Sequence, residues 1–162
     1  MAVITHYSLL VKMLLILRIR EGIMAGTIIH LQLKPAEGAP MKTVESVTAI
    51  TSYGLKDDAN AGRSKRQVLI IERELLDEFQ LSVGEVRENI TVQGIQLAGM
   101  AAGTRVRVGQ ALLEATLDCA PCQFIEDKRP GLRAAMEGKR GTLFKVIEGG
   151  EINVGDEIAV MA

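Results

Sequence analysis

The chain has 162 residues, 48% of them apolar, with 19 basic and 20 acidic side chains and a formal net charge of −1. It is long enough for one domain with a real core. With no Trp, two Tyr and three Phe, that core must be assembled from Val, Ile, Leu, Met and Ala. The balanced charge supplies no global field for nucleic acid or an anionic membrane, so any anion site has to be local. Two cysteines do not make a disulfide framework. Free thiols and a cytoplasmic setting are the expectation.

Residues 1 to 24, MAVITHYSLLVKMLLILRIREGIM, differ from the rest of the chain. The apolar run is broken by Lys12 and is shorter than the roughly 20 residues that span a bilayer. Arg18 and Arg20 stand where a signal peptide needs small cleavage-site residues. The segment reads as a leader, either an amphipathic helix or sequence upstream of a natural start at Met24 or Met13. The folded domain is expected over 25 to 162.

From Gly26 the period is mostly two. In TIIHLQL, Ile29, Leu31 and Leu33 share one face, which suits a half-buried strand. KPAEGAPM is a loop, and VESVTAITSYG a second strand ending at Gly54. The turn-rich run YGLKDDANAGRSKRQV comes next, with Arg63, Lys65 and Arg66 crowded at its far end. It is either an ordinary solvated loop or an anion-binding rim, since guanidinium and ammonium groups on a glycine-flexible loop can grip phosphate. QVLII reads as a strand. In ERELLDEF, Leu75, Leu76 and Phe79 continue from Ile71 at helical spacing. RENITVQG is a strand that begins at Glu88 and Asn89, where Asn can simply close a turn.

GTRVRVG (103–109) and GDEIAVM (155–161) echo one another, each a glycine turn launching a short strand. ALLEATL and TLFKVI add two more, and GLRAAMEGKRG is a short helix around Leu132, Ala135 and Met136. Closely spaced strands with little helix between them predict a mainly β fold. We expect a closed, antiparallel-rich β-barrel with one or two short helices.

Both cysteines lie in LDCAPCQFIEDKRPG. A structural zinc needs four ligands, and here there is one pair and only two histidines, His6 and His30. A thioredoxin-like pair expects a surrounding βαβ pattern, which is missing. Cys119 continues the Leu113, Ala115, Leu117 alternation as a small inward residue would. Cys122 directly succeeds Pro121, which ends the ladder. Lys128, Arg129 and Arg133 come soon after it, and nearby cations favour a thiolate. A redox pair, one reactive thiol, or two small buried residues all remain open on the residues alone. No Ser/His/Asp set and no phosphate-loop spacing is present.

Taken in order, Gly26-Thr27-Ile28, Pro40-Met41, GLKDDANAGRSKRQV, RENITVQGI, GTRVRVG, Pro121-Cys122 and the closing GGEINVGD resemble the MOSC domain, the C-terminal domain of molybdenum cofactor sulfurases, in its small stand-alone form. The family's cysteine matches Cys122. The resemblance implies that Cys122 carries sulfur as a persulfide or ligates the molybdenum of a bound cofactor. The family's Gly-Leu-Glu-Gly-Asp turn matches Gly54-Leu55-Lys56-Asp57-Asp58. Asp57 stands in place of the second glycine, and Asn60 where a histidine is common. The Arg-Gln-Val and Glu-Asn-Ile elements match Arg66-Gln67-Val68 and Glu88-Asn89-Ile90. Asp58, Arg63, Lys65, Arg66, Asn89, Arg129 and Arg133 are then the expected contacts to molybdopterin.

The resemblance implies a cofactor-binding or sulfur-carrier module. Its sulfur donor is a separate cysteine desulfurase, and its recipient a molybdoenzyme or a cofactor-synthesis protein. No pyridoxal phosphate site is expected within the chain, nor any nucleic-acid or membrane partner. The alternatives are a molybdenum-dependent reductase of small N-hydroxylated substrates and a non-catalytic interaction module.

Overall fold

The computed structural model describes Lys12, Met13 and residues 24 to 162. The rest of the expected leader lies outside the described residues. Strand β1 (Ala25–Leu33) opens the domain one residue before the expected Gly26. The carbonyl of Met24 accepts a hydrogen bond from the Val160 N–H at 2.8 Å.

The expected long second strand is divided. It runs as β2 (Lys42–Val44), β3 (Ser46–Ile50) and, after a turn, β4 (Gly54–Leu55). Then come β5 (Val68–Glu72), helix α1 (Arg73–Glu78) and β6 (Ile90–Gln93). Next are β7 (Arg105–Val108), β8 (Ala111–Asp118), and two single-turn helices, α2 (Gln123–Glu126) and α3 (Leu132–Ala135). The chain closes with β9 (Thr142–Glu148), β10 (Gly150–Asn153) and β11 (Glu157–Val160).

Seven strands close a barrel in the order β1, β11, β7, β8, β9, β5, β6 and back to β1, with β2 added along the far half of β1. The two echoed segments, β7 and β11, are antiparallel neighbours that pair Val108 with Ile158 and Val106 with Val160. β10, β3 and β4 form a small separate sheet. The pairing is antiparallel as expected, except between β5 and β6, which are parallel and joined through α1.

The barrel interior is apolar, with Ile28, Leu31, Val68, Ile70, Ile90, Val106, Leu113, Phe144 and Ile158 all at or near zero exposure. β5 is buried on both faces, hence its nearly unbroken apolar sequence. Its Ile71 points outward into a second cluster, where Leu76 and Phe79 from the α1 region meet Ile125 of α2, Leu132 of α3 and Met136 just beyond it.

A bulge in β8 decides where the cysteines lie. Ala115 pairs with Phe144, but the next registered pair is Leu117 with Leu143, and Thr116 is left over. The Thr116 hydroxyl lies 2.6 and 2.9 Å from the carbonyl oxygens of Lys65 and Leu143. One extra residue turns the subsequent side chains to the other face. Leu113 and Ala115 therefore fill the barrel, while Leu117 and Cys119 pack outside it against Leu69 and Leu143. Cys119 does not continue the inward alternation expected of it.

Candidate functional site

On that outer face the loops after β1, β4, α1, β8 and α3 meet around a cleft of about 530 Å³. Leu69 and Leu143 form its floor. Arg63, Arg66, Arg87 and Arg140 line it together with Lys34, Phe124 and both cysteines. Glu37 is its single carboxylate, and that side chain is held by Lys34 Nζ at 2.6 Å. Among the described residues, none of the four guanidiniums has a carboxylate within ion-pair distance.

Two of the guanidiniums are held from behind by backbone carbonyls. Arg87 takes a left-handed backbone (φ 61°), and its Nη2 donates to the Ala39 carbonyl at 2.9 Å. Arg140 is buried. Its Nη1 donates to the Cys119 sulfur and its Nη2 to the Val86 carbonyl at 3.4 Å, while its Nε has no partner. Gly141 makes this placement possible. Its φ is +106°, and a Cβ there would meet the Ile70 carbonyl at 2.8 Å. Arg66 Nη2 reaches the Cys119 sulfur at 3.9 Å.

The two thiols differ sharply. Cys119 is 3% exposed and Cys122 is exposed, and both are free. Burial pushes the Cys119 thiol above the ordinary cysteine value, and the guanidiniums of Arg140 and Arg66 offset only part of that. Cys122 ends the loop beyond the buried Pro121, immediately before α2.

Asp58 and Asn89 stand behind the cleft wall. The Asp58 carboxylate accepts from the Lys34 N–H at 2.7 Å, the Asn60 N–H at 2.9 Å and Asn89 Nδ2 at 2.8 Å. Asn89 Oδ1 accepts from the Leu69 N–H at 3.0 Å. The pair ties the charged loop to β5 and to the end of β1. Asp57, in place of a glycine, has φ 66°. Asp is among the few residues that tolerate this region.

Of the other expected contacts, Arg63 and Arg66 line the cleft, while Lys65, Arg129 and Arg133 do not. Arg129 Nη2 is spent on the Phe79 carbonyl at 2.8 Å, and Arg133 and Lys65 are exposed away from it. Lys128 sits over the Phe124 ring at 4.6 Å. The cations at the Cys119 sulfur are therefore not Lys128, Arg129 and Arg133 but Arg66 and Arg140. Arg87 and Arg140 were not among the contacts expected from the sequence. The one local signal for Arg140 was its position in the glycine-flanked run GKRG.

The sequence model of the MOSC domain matches residues 57 to 159. The chain belongs to the MOSC domain family. That span holds both cysteines and all four cleft arginines. Three solved structures share the fold of this MOSC protein. YuaD from Bacillus subtilis superposes with a TM-score of 0.70 at 19% identity, covering 85% of this chain and 96% of that one. YiiM from Escherichia coli gives 0.64 at 19% identity, over 84% and 70% of the two chains. YiiM from Geobacillus stearothermophilus gives 0.66 at 19%, over 85% and 75%. At such identities the likeness is one of fold. No curated protein matches the chain in sequence. No helix among the described residues is long and apolar enough to cross a membrane.

Proposed function

We propose that this MOSC protein is a sulfur-carrier module that docks the molybdenum cofactor by its anionic end. One observation carries the reading: four guanidiniums, none at ion-pair distance from a carboxylate among the described residues, converge on a single cleft that also holds two free thiols and one carboxylate, Glu37. Concentrated like charge of this kind opposes folding unless an anion neutralises it. Guanidiniums match phosphate oxygens with paired donors. The residues present thus suit a phosphate-bearing cofactor. When bound, the cofactor supplies a molybdenum centre able to take sulfur as a ligand.

The chain's own part is simpler. Arg63, Arg66, Arg87 and Arg140 hold the anion. Cys122, exposed at the same cleft, takes sulfur from the persulfide of a separate cysteine desulfurase. The Cys122 thiolate attacks the outer sulfur, a new sulfur–sulfur bond forms on Cys122, and the donor cysteine leaves as its thiolate.

Incubation with a cysteine desulfurase and cysteine, then mass spectrometry, tests the carrier role. One added sulfur on Cys122 is expected, and none on Cys122→Ser. Molybdopterin binding tests the docking role. Arg63→Ala with Arg66→Ala should weaken it by about tenfold or more, since a hydrogen bond to a charged group is worth roughly 1.5–3 kcal/mol. A chain that takes up no sulfur and binds no molybdopterin would refute the proposal. Reduction of an N-hydroxylated test compound by the loaded protein would move the reading to a reductase.

A further inference from the structure

Resting on the carrier reading, we infer that Cys119 is the resolving thiol that discharges sulfur from Cys122 as sulfide. The bulge at Thr116 carries the inference. Without that extra residue Cys119 would continue Leu113 and Ala115 into the barrel core, where it would be an inert small residue. Instead its sulfur lines the same cleft as Cys122. It is kept there by the Arg140 Nη1 hydrogen bond, with Arg66 Nη2 at 3.9 Å. The two thiols also feel each other, since a charge on Cys122 raises the pKa of Cys119. Among the described residues no third His, Cys, Asp or Glu joins them as a metal site would require. The pair is therefore set up for sulfur exchange, with one thiol accessible to a donor and one shielded from it.

Atoms and electrons balance in this step. Cys122 carries the sulfane sulfur as Cys122–S–S⁻. The Cys119 sulfur attacks the inner sulfur, that of Cys122 itself. The bond to the outer sulfur breaks, and the outer sulfur leaves with both bonding electrons as sulfide, taking the Cys119 proton as HS⁻. The sulfane sulfur is reduced, and the two cysteines are oxidised to a Cys119–Cys122 disulfide. A cellular dithiol reductant restores both thiols by exchange. Burial raises the Cys119 pKa and Arg140 and Arg66 offset part of that, so Cys119 attacks as the thiolate formed against these guanidiniums, and its proton ends on the departing sulfide. Arg140 and Arg66 stabilise the thiolate as it forms and the anion as it leaves.

Persulfide is loaded onto reduced wild type and onto Cys119→Ser, by desulfurase and cysteine in one arm and by inorganic polysulfide in the other. Excess donor is removed, and sulfide release and chain mass are monitored without added thiol. Wild type is expected to release one sulfide per bound sulfur and to end as an internal disulfide mapped to Cys119 and Cys122. Cys119→Ser is expected to hold its persulfide at least ~10-fold longer, a modest share of what an intramolecular partner supplies, and to release sulfide when a dithiol is added. Cys119→Ala, which carries no hydroxyl, repeats the measurement should the serine variant fail to fold. Equal release by wild type and the Cys119 variants overturns the inference, as does added sulfur appearing on Cys119. Loading by polysulfide but not by the desulfurase refutes the carrier reading while the resolving step is still measured.

Discussion

Strands β5 and β9 have two faces with different tasks. On the inner face Val68, Ile70, Phe144 and Val146 join the barrel core. On the outer face Leu69 and Leu143 meet Cys119 and form the floor of the cleft. Where they floor the cleft the strands are apolar on the outer face too, although Lys145 of β9 also points outward, to Glu114. The faces differ in what covers them: the inner face is covered by other strands, the outer one by loops that bring arginines and thiols. An apolar floor keeps water and dielectric screening low beneath the charges, which would strengthen the proposed hold on an anion. Stability is thus concentrated on one side of a two-strand wall and the proposed chemistry on the other.

The largest expected effect separates these faces. Phe144 is fully buried in the barrel and Leu143, its neighbour, borders an open cleft. Phe144→Ala should cost about 3–5 kcal/mol, a fall in thermal midpoint on the order of 10 °C for a domain of this size. Leu143→Ala leaves no sealed cavity and should cost clearly less, yet it should disturb sulfur loading at Cys122 more than its stability loss accounts for. Equal losses in thermal scans would break the distinction between core and floor.

The strands were legible in the sequence because period two is a local property, but the face of β1 was not: a register shift between Ile28 and His30 puts Ile28 with Leu31 and Leu33 in the barrel and leaves the expected Ile29 only half-buried. TIIHLQL, VLII, ALLEATL and TLFKVI each became a strand, and the echoed segments became neighbours. The small strand β10 was not foreseen, since Gly150–Asn153 offers a single buried apolar residue, Ile152. Nor was the parallel pairing of β5 and β6, although a strand-type run, a helix and another strand-type run spell it out in order. The cleft was half legible. Arg63 and Arg66 announced themselves as a cluster. Arg87 and Arg140 are isolated in sequence and reach the cleft only through tertiary structure. The bulge at Thr116 broke the alternation used to read Cys119, because which face a residue takes depends on pairing with β9 and not on β8 alone.

A smaller effect is expected at the cleft wall. Asp58→Ala removes the acceptor of three hydrogen bonds, from the Lys34 and Asn60 N–H groups and from Asn89 Nδ2. Leaving buried donors unsatisfied costs about 1–3 kcal/mol. If Asp58 positions the wall and does not touch the ligand, inorganic phosphate should bind more weakly to Asp58→Ala, with no loss of its salt dependence. The arginines that supply that dependence remain. An unchanged midpoint and unchanged phosphate binding in titration calorimetry would remove Asp58 from the supporting frame.

The smallest effect concerns Glu88, beside Asn89, and it sharpens the comparison by asking whether the outer layer tolerates buried charge. Glu88 is fully buried. Its Oε1 accepts from the Gly84 N–H at 2.6 Å and from the Thr91 hydroxyl at 3.2 Å, and its Oε2 has no partner. Burial pushes its carboxyl above the ordinary 4.5, against the pull of those hydrogen bonds. A raised folded-state pKa means that folding favours the protonated form. That contribution is full below 4.5 and is lost as pH rises through the folded value. Glu88→Gln keeps the shape, stays neutral and offers an N–H₂ where Oε2 is orphaned. Its midpoint should match wild type near pH ~4 and stand level with or slightly above it near pH ~8, two points that bracket the carboxylate titration. A variant clearly less stable than wild type near pH ~8 would show that Glu88 serves the fold as a carboxylate, and that charge is accommodated on the outer face away from the arginines as well as beside them.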